Sequence, residues 1–182
     1  MIDVRYLRWL RRLSVVPRWS VVPVLRRQSV AEHSFHVTAL ALWLVSLHTR
    51  RGDGKFELEV LRYALTHDIR EAGEGDAPSP SKPKAEASGD DQVKVVVKCA
   101  DILEAIMFTH EESMLGNRMG VEQIIDHLYN EFVDWWRYFD CGGKQIHSTE
   151  VVQSAKLVVF NPNFAHPAIE KEAPCSPLKS NG

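Results

Sequence analysis

A carboxylate in the middle of an apolar helical run is the strongest constraint in this sequence. Asp101 sits in Val95-Val96-Val97-Lys98-Cys99-Ala100-Asp101-Ile102-Leu103, where burying an unpaired charge is too costly to persist. Whatever packs on this helix must bring Asp101 a partner. Two other stretches offer suitable groups: His67-Asp68 within Leu65-Thr66-His67-Asp68-Ile69-Arg70-Glu71, and His33 within Ala31-Glu32-His33-Ser34. Two imidazoles and two carboxylates make a donor set for a divalent transition metal, and four protein ligands leave room for water in the coordination shell. His33, His67, Asp68 and Asp101 are therefore the candidate ligands. His36, His48, His110, His127, His147 and His166 lack such framing. Of these only His36, one turn after His33, can face the same site or else make a polar core contact.

The pattern around these residues is all-α and contains no repeat. Residues 3–13 alternate as a helix with Arg5, Arg8 and Arg12 along one side, and Pro17 and Pro23 then interrupt. Ser29-Val30-Ala31-Glu32 has the form of a capping box, so a helix is predicted from Val30 to about Thr49; being apolar nearly all round, it is expected at the core's centre. A second helix is predicted over 56–71, with the His-Asp doublet inside it and Gly73 and Gly75 ending it, so that Asp76 turns back toward Asp68. Residues 77–91 read as a Pro/Ser/Lys loop, either lid or connector. Further helices are predicted over 92–110, over 121–140 with Val121, Ile124, Ile125, Leu128, Phe132, Trp135 and Phe139 as a core stripe, and over 148–160, where 156–160 alone would equally suit a strand.

With 182 residues, 45% hydrophobic and 25% charged, the chain suits one domain, 1–160, followed by an extended tail, 161–182, in which Pro and charge dominate. The longest apolar stretch, 37–47, is too short for a membrane span, and no secretory signal is recognised; a cytoplasmic protein is expected. Cys99, Cys141 and Cys175 lack the spacing of a disulfide framework or zinc knuckle. A net charge of −2 argues against a stable nucleic-acid complex, although residues 1–27 carry seven arginines against Asp3 alone. Those arginines read as a solvated face, an RNA contact or the wall of a phosphate pocket.

The order His33, His67-Asp68, Asp101 on helical segments resembles the HD-domain phosphohydrolases, over approximately residues 5–110. The string from His67 through Glu71, Asp76, Pro78 and Pro80 to Lys82 is similar to the H-D-x-x-E-x-x-x-G-D-x-P-x-P-x-K segment of their 5′-deoxynucleotidase branch. That resemblance implies an HD-domain helical bundle, the four metal ligands above, and catalytic roles for Glu71 and Asp76. On its own Glu71, three residues beyond Asp68 and on the same predicted helix face, reads either as a group that holds or deprotonates a metal-bound water or as a solvated surface residue. Arg18-Trp19 corresponds to a pair that the same branch carries before its first metal histidine, which makes both substrate residues; without the resemblance, Trp19 reads as a loop anchor.

The resemblance implies cleavage between the α-phosphorus and the 5′-oxygen of a deoxynucleotide, using a divalent ion such as Zn, Co, Mn or Mg. Lys82 and Lys98 are the cations available for outer phosphates, with Lys84 and the arginine-rich segment nearby. Details of residues 18–34 look similar to small phage enzymes that hydrolyse dATP to deoxyadenosine and triphosphate. A dNTP triphosphohydrolase is thus the expectation, with a 5′-deoxynucleotidase acting on dNMPs as alternative and an inactive nucleotide-binding module as the alternative of another class. Family members commonly form dimers or hexamers, so a homo-oligomer is expected.

Overall fold

The computed structural model describes residues 4–76 and 91–160. Seven α-helices follow in order: α1 (Val4–Arg12), α2 (Val30–Val45), α3 (Gly54–Ala64), α4 (Glu71–Glu74), α5 (Gln92–Met114), α6 (Arg118–Trp136) and α7 (Ser148–Phe160), with a short 3-10 turn at Leu13–Val15. Among the described residues there is no strand, only an isolated bridge between Pro17 and Ser29. The sequence 156–160 continues the helix α7. Residues 77–90 and 161–182, and with them Lys82, Lys84, Cys175 and the expected tail, lie outside the described residues.

The core is centred on α5 rather than on α2. Helix α5 packs against α2, α3, α6 and α7, and its buried residues, among them Val95, Cys99, Leu103, Ile106 and Phe108, lie all round it. Apolar character on every face is the mark of a helix enclosed by others. Helix α2 buries Val37, Ala41 and Leu44 but leaves Phe35 67% and Leu42 44% exposed. On α6, Trp136 rather than Trp135 is buried; its Nε1 donates to Ile146 O at 2.9 Å, and it stacks between Phe132 and Phe139.

Helix starts follow their caps. The Ser29 side chain accepts from Glu32 N while Glu32 reaches back to Ser29 N, so the predicted capping box is formed and sets His33 in the first turns of α2. Asp53 caps α3 and Asp91 caps α5 in the same way, each accepting from backbone N–H groups ahead of it.

Helix α3 ends at Ala64, seven residues short of the expected Glu71, so the His-Asp doublet lies in a turn and not within a helix. Side chains explain the stop: Thr66 Oγ1 donates to Arg62 O and His67 Nδ1 to Ala64 O, capturing carbonyls of the last turn, while Thr66 N bonds Tyr63 O in 3-10 fashion. Helix α4 then closes on Gly75, whose φ of 83° suits glycine and redirects the chain at Asp76. A Cβ at Gly73 would lie 2.6 Å from Trp9 Cζ3, so α1 rests directly on the α4 backbone. The Arg5, Arg8 and Arg12 side of α1 is exposed. Among the described residues no helix is long and apolar enough to cross a membrane.

Candidate metal centre and adjoining cavity

Three elements converge on one point. His33 comes from α2, His67 and Asp68 from the turn after α3, and Asp101 from the middle of α5. His33 Nε2 lies 3.2 Å from Asp101 Oδ1 and 3.7 Å from Asp68 Oδ2, and His67 Nε2 lies 3.3 Å from the same Asp68 oxygen. The four residues predicted from sequence are thus brought together.

Both imidazoles are oriented from behind. His67 Nδ1 is 2.7 Å from Ala64 O, an acceptor only, so Nδ1 carries the proton. His33 Nδ1 lies 2.6 Å from Glu104 Oε2. The two Nε2 atoms are then left facing the carboxylates, buried and without a hydrogen bond. With one Asp101 oxygen they form a group whose atoms all lie within 4.8 Å of one another. Orphaned nitrogens with their other ring nitrogen committed, set among carboxylates, are what a divalent metal ion requires. The residues fit such an ion.

Arg18 lies across this cluster. Its NH1 is 3.4 Å from Asp68 Oδ2 and 3.7 Å from Asp76 Oδ1, and its NH2 is 3.4 Å from Asp101 Oδ1. Burial would lower the guanidinium pKa, but Asp101, Asp68, Glu104 and Asp76 outweigh it and raise it. Asp101 shows the complement: burial pushes it up, yet Lys98, His33 and Arg18 hold it well below the usual range. Lys98 Nζ bonds Asp101 Oδ2 at 3.0 Å and Glu131 Oε1 at 3.2 Å, and Asp101 and Glu131 raise its pKa against the effect of burial. His67 is shifted down, chiefly by burial.

Beside the cluster opens a cavity of about 390 Å³, within the range of small-molecule sites. Arg18, Trp19, His67, Asp68, Asp76, Lys98 and Asp101 all line it, together with Tyr63, Ile124 and Glu131. Glu71 does not line it; it is buried at the start of α4. Asp76 turns back toward Asp68 as expected, the two carboxylates sharing Arg18 NH1, and it also accepts from Ser20 N at 3.3 Å.

With this geometry, comparison with known proteins gives a consistent picture. A dATP triphosphohydrolase of Salmonella phage PMBT28 is 31% identical over 155 residues, covering 70% of this chain and 80% of that protein. The sequence pattern described as 5′-deoxynucleotidase YfbR-like matches residues 5–88. The chain is a YfbR-like HD phosphohydrolase. The 5′-deoxynucleotidase YfbR of Escherichia coli O1:K1 / APEC is 34% identical over 74 residues, 40% of this chain but 37% of that protein, so the chain matches little more than a third of such relatives. Among solved structures, the cyanophage S-2L HD phosphohydrolase DatZ, bound to dA and one catalytic Zn²⁺ ion, shares the fold with TM-score 0.59 at 16% identity over 87% of this chain and 97% of that one. A Pyrococcus furiosus protein does so with TM-score 0.61 at 19% identity, over 85% and 99%.

In this YfbR-like chain several site residues escaped the sequence reading. Glu104, buried behind His33, is held down to about 2: burial would raise it, but the charge and hydrogen bond of His33 dominate. It lies three residues after Asp101 in the same apolar run, so the signal that exposed Asp101 applied to it as well. Gln28 is buried against it and carried no such signal. His36, half exposed, has Nδ1 3.5 Å from Glu104 Oε1, the polar contact foreseen as one option. Glu131 and His127 line the cavity from α6.

Proposed function

We propose that this chain hydrolyses deoxynucleoside triphosphates, dATP foremost, to deoxynucleoside and triphosphate, with a divalent metal ion held by His33, His67, Asp68 and Asp101. The observation that carries the reading is the pair of buried His33 and His67 Nε2 atoms, without a hydrogen bond, facing the Asp68 and Asp101 carboxylates that line a cavity of about 390 Å³. The choice of dATP is supported by the relative that is similar over most of both lengths.

A divalent ion in such a site supplies Lewis-acid polarisation of a phosphoryl oxygen and lowers the pKa of water. The remaining work falls to the chain's own groups. Water adds to the α-phosphorus and the bond to the 5′-oxygen breaks; one proton leaves the water and one reaches the 5′-oxygen. Asp76 is on the cavity wall and takes the proton-transfer role. Glu71, off the wall but one turn from Asp68, supports catalysis through that turn. Arg18 forks onto phosphate oxygens. Trp19 packs against the deoxyribose, where an indole face offers a 2′-hydroxyl neither room nor a partner. Lys98 and Lys82 meet the outer phosphates.

A specific observation favours a second reading: the deoxynucleotidase pattern spans the segment bearing Arg18, Trp19, His33, His67, Asp68, Glu71 and Asp76, which makes dNMPs the alternative substrate. The deciding experiment incubates purified protein with each dNTP and dNMP and a divalent metal, and separates products by chromatography. Triphosphate and deoxyadenosine from dATP support the proposal. Faster turnover of dAMP replaces it with the 5′-deoxynucleotidase. Absence of turnover in metal-loaded protein leaves a nucleotide-binding module.

A further inference from the structure

The loop that bears Trp19 and the histidine that faces the metal site are joined by an unbroken line of hydrogen bonds. Trp19 Nε1 donates to Gln28 Oε1 at 3.2 Å, Gln28 Nε2 donates to Glu104 Oε1 at 2.6 Å, and Glu104 Oε2 lies 2.6 Å from His33 Nδ1. Gln28, Glu104 and His33 are all buried. Direction along this line is not free. An indole N–H only donates, so the Gln28 amide must present its oxygen to Trp19, which leaves its NH₂ for Glu104. The carboxylate only accepts, and so it takes both the Gln28 NH₂ and the His33 Nδ1–H. His33 Nε2 is the atom left over, and it is the one that faces Asp68 and Asp101.

Two further features hold the far end of the line. Trp19 adopts φ of 64°, a conformation side chains rarely tolerate, and its ring stacks on Phe108 at 5.2 Å and 11°. The ring is thus anchored by a contact separate from its N–H hydrogen bond. We propose that the Trp19 N–H sets, through Gln28 and Glu104, the orientation of His33, so that Gln28 and Glu104 are positioning residues coupling the substrate-facing loop to the metal centre. The inference rests on His33 being a metal ligand, but on no particular nucleotide.

The test uses metal-free full chain titrated with Zn²⁺ alone by calorimetry, with melting temperatures recorded in parallel. Glu104→Gln, which sets an amide NH₂ against a donor at one end, is expected to weaken zinc binding about 10- to 100-fold, the usual effect of losing a ligand's hydrogen-bond partner. Trp19→Phe keeps an aromatic ring against Phe108 but removes the donor together with the pyrrole half of the indole, a packing loss read from the melting temperature and cancelled in the double-variant comparison below. It is expected to weaken zinc roughly threefold or more. In a Gln28→Leu background, where the line is already cut, Trp19→Phe is expected to cost nothing further. With Trp19→Phe present, Gln28 can turn over, so Glu104→Gln should cost less than it does alone. Unchanged zinc affinity in Trp19→Phe overturns the proposal, as do costs that multiply independently in both pairs. Should Gln28→Leu fail to fold, the Trp19→Phe and Glu104→Gln pair decides alone. Failure of the dATP assay leaves these results standing, whereas wild-type protein that binds no zinc overturns the metal reading and the coupling together.

Discussion

The metal-facing wall of the cavity takes its side chains from helices and a turn packed into the apolar core, whereas another wall is an irregular loop, residues 16–29, held by polar side chains. His33, Asp68 and Asp101 stand beside Val37, Ala64 and Ala100, all buried in or against the main core. The loop is closed by Arg18 N to Gln28 O at 2.8 Å and Val30 N to Val16 O at 3.0 Å. Glu112 then accepts from Leu25 N at 2.6 Å and Arg26 N at 2.8 Å, and Asn117 Nδ2 donates to Pro23 O at 2.8 Å. Val21 and Leu25 at its tip are exposed. The contrast teaches where damage will be felt. Apolar packing fixes the helices that carry the ligands, so a lesion there is read as lost metal. A few hydrogen bonds fix the loop, so a lesion at its Glu112 clamp is read as weakened substrate binding with metal retained, the Trp19–Gln28 line being the one path by which the loop reaches His33.

The largest expected effect breaks the first wall. Asp101→Ala, like His67→Ala, is expected to abolish activity and to drop metal stoichiometry toward zero in folded protein, by elemental analysis. Full metal content in Asp101→Ala would remove it from the ligand set. Next come the two acidic residues that the structure separates. Asp76→Asn, on the cavity wall, is expected to lower kcat about 10²-fold or more with metal retained, as loss of a proton-transfer group does. Glu71→Gln, off the wall, should lower it by less. Equal losses would return Glu71 to the reacting atoms.

How far each wall could be read from sequence follows the same division. Asp101 betrays itself by standing in an apolar run and an adjacent His-Asp pair is conspicuous, but each residue alone is a weak signal, and it is the constellation with His33 that made the ligand set legible. Glu104 was hidden only because its role depends on the ring behind which it sits. The loop was opaque: nothing in Gln28 or Glu112 distinguishes a buried clamp from a solvated polar residue, since Glu112 follows Glu111 near a helix end. Trp19 is a loop anchor through its stack on Phe108, and it also lines the cavity. The turn at 65–70 was missed because apolar spacing runs on past Ala64, while the side chains that stop α3 bond to carbonyls and leave no mark on periodicity.

Lys98 tests the boundary between the walls. It reaches the cavity but pairs with Asp101 and Glu131, so its contact with an outer phosphate requires exchange of a carboxylate partner. Lys98→Ala is expected to lower kcat/KM for dATP about 10- to 100-fold, the worth of one charge-assisted hydrogen bond, and for dAMP far less. Equal losses on both would make Lys98 a support for Asp101 and weaken the triphosphate reading.

The smallest effect, and the one that isolates the loop, comes from Glu112. Its carboxylate is buried and takes both backbone N–H groups as well as Asn117 Nδ2 at 2.8 Å. Glu112→Gln turns an NH₂ against one of these donors, at about 1–3 kcal/mol. KM for the nucleotide should rise with metal content unchanged, and the melting temperature should fall by several degrees, as about 2–4 °C per kcal/mol implies for a chain of this size. The pH dependence supplies the check. Burial pushes the carboxyl up, but the hydrogen bonds from Leu25, Asn117 and Arg26 outweigh it, so its folded pKa is lowered. A depressed carboxyl contributes its stability in full above the unfolded value of about 4.3 and loses it as pH falls through the folded value. The melting difference between wild type and Glu112→Gln should therefore hold steady from neutral pH down to about 5 and shrink below that. A difference that stays constant into the acid range would mean that the clamp works through shape and not charge, and the loop would then owe its position to packing, as the metal wall does.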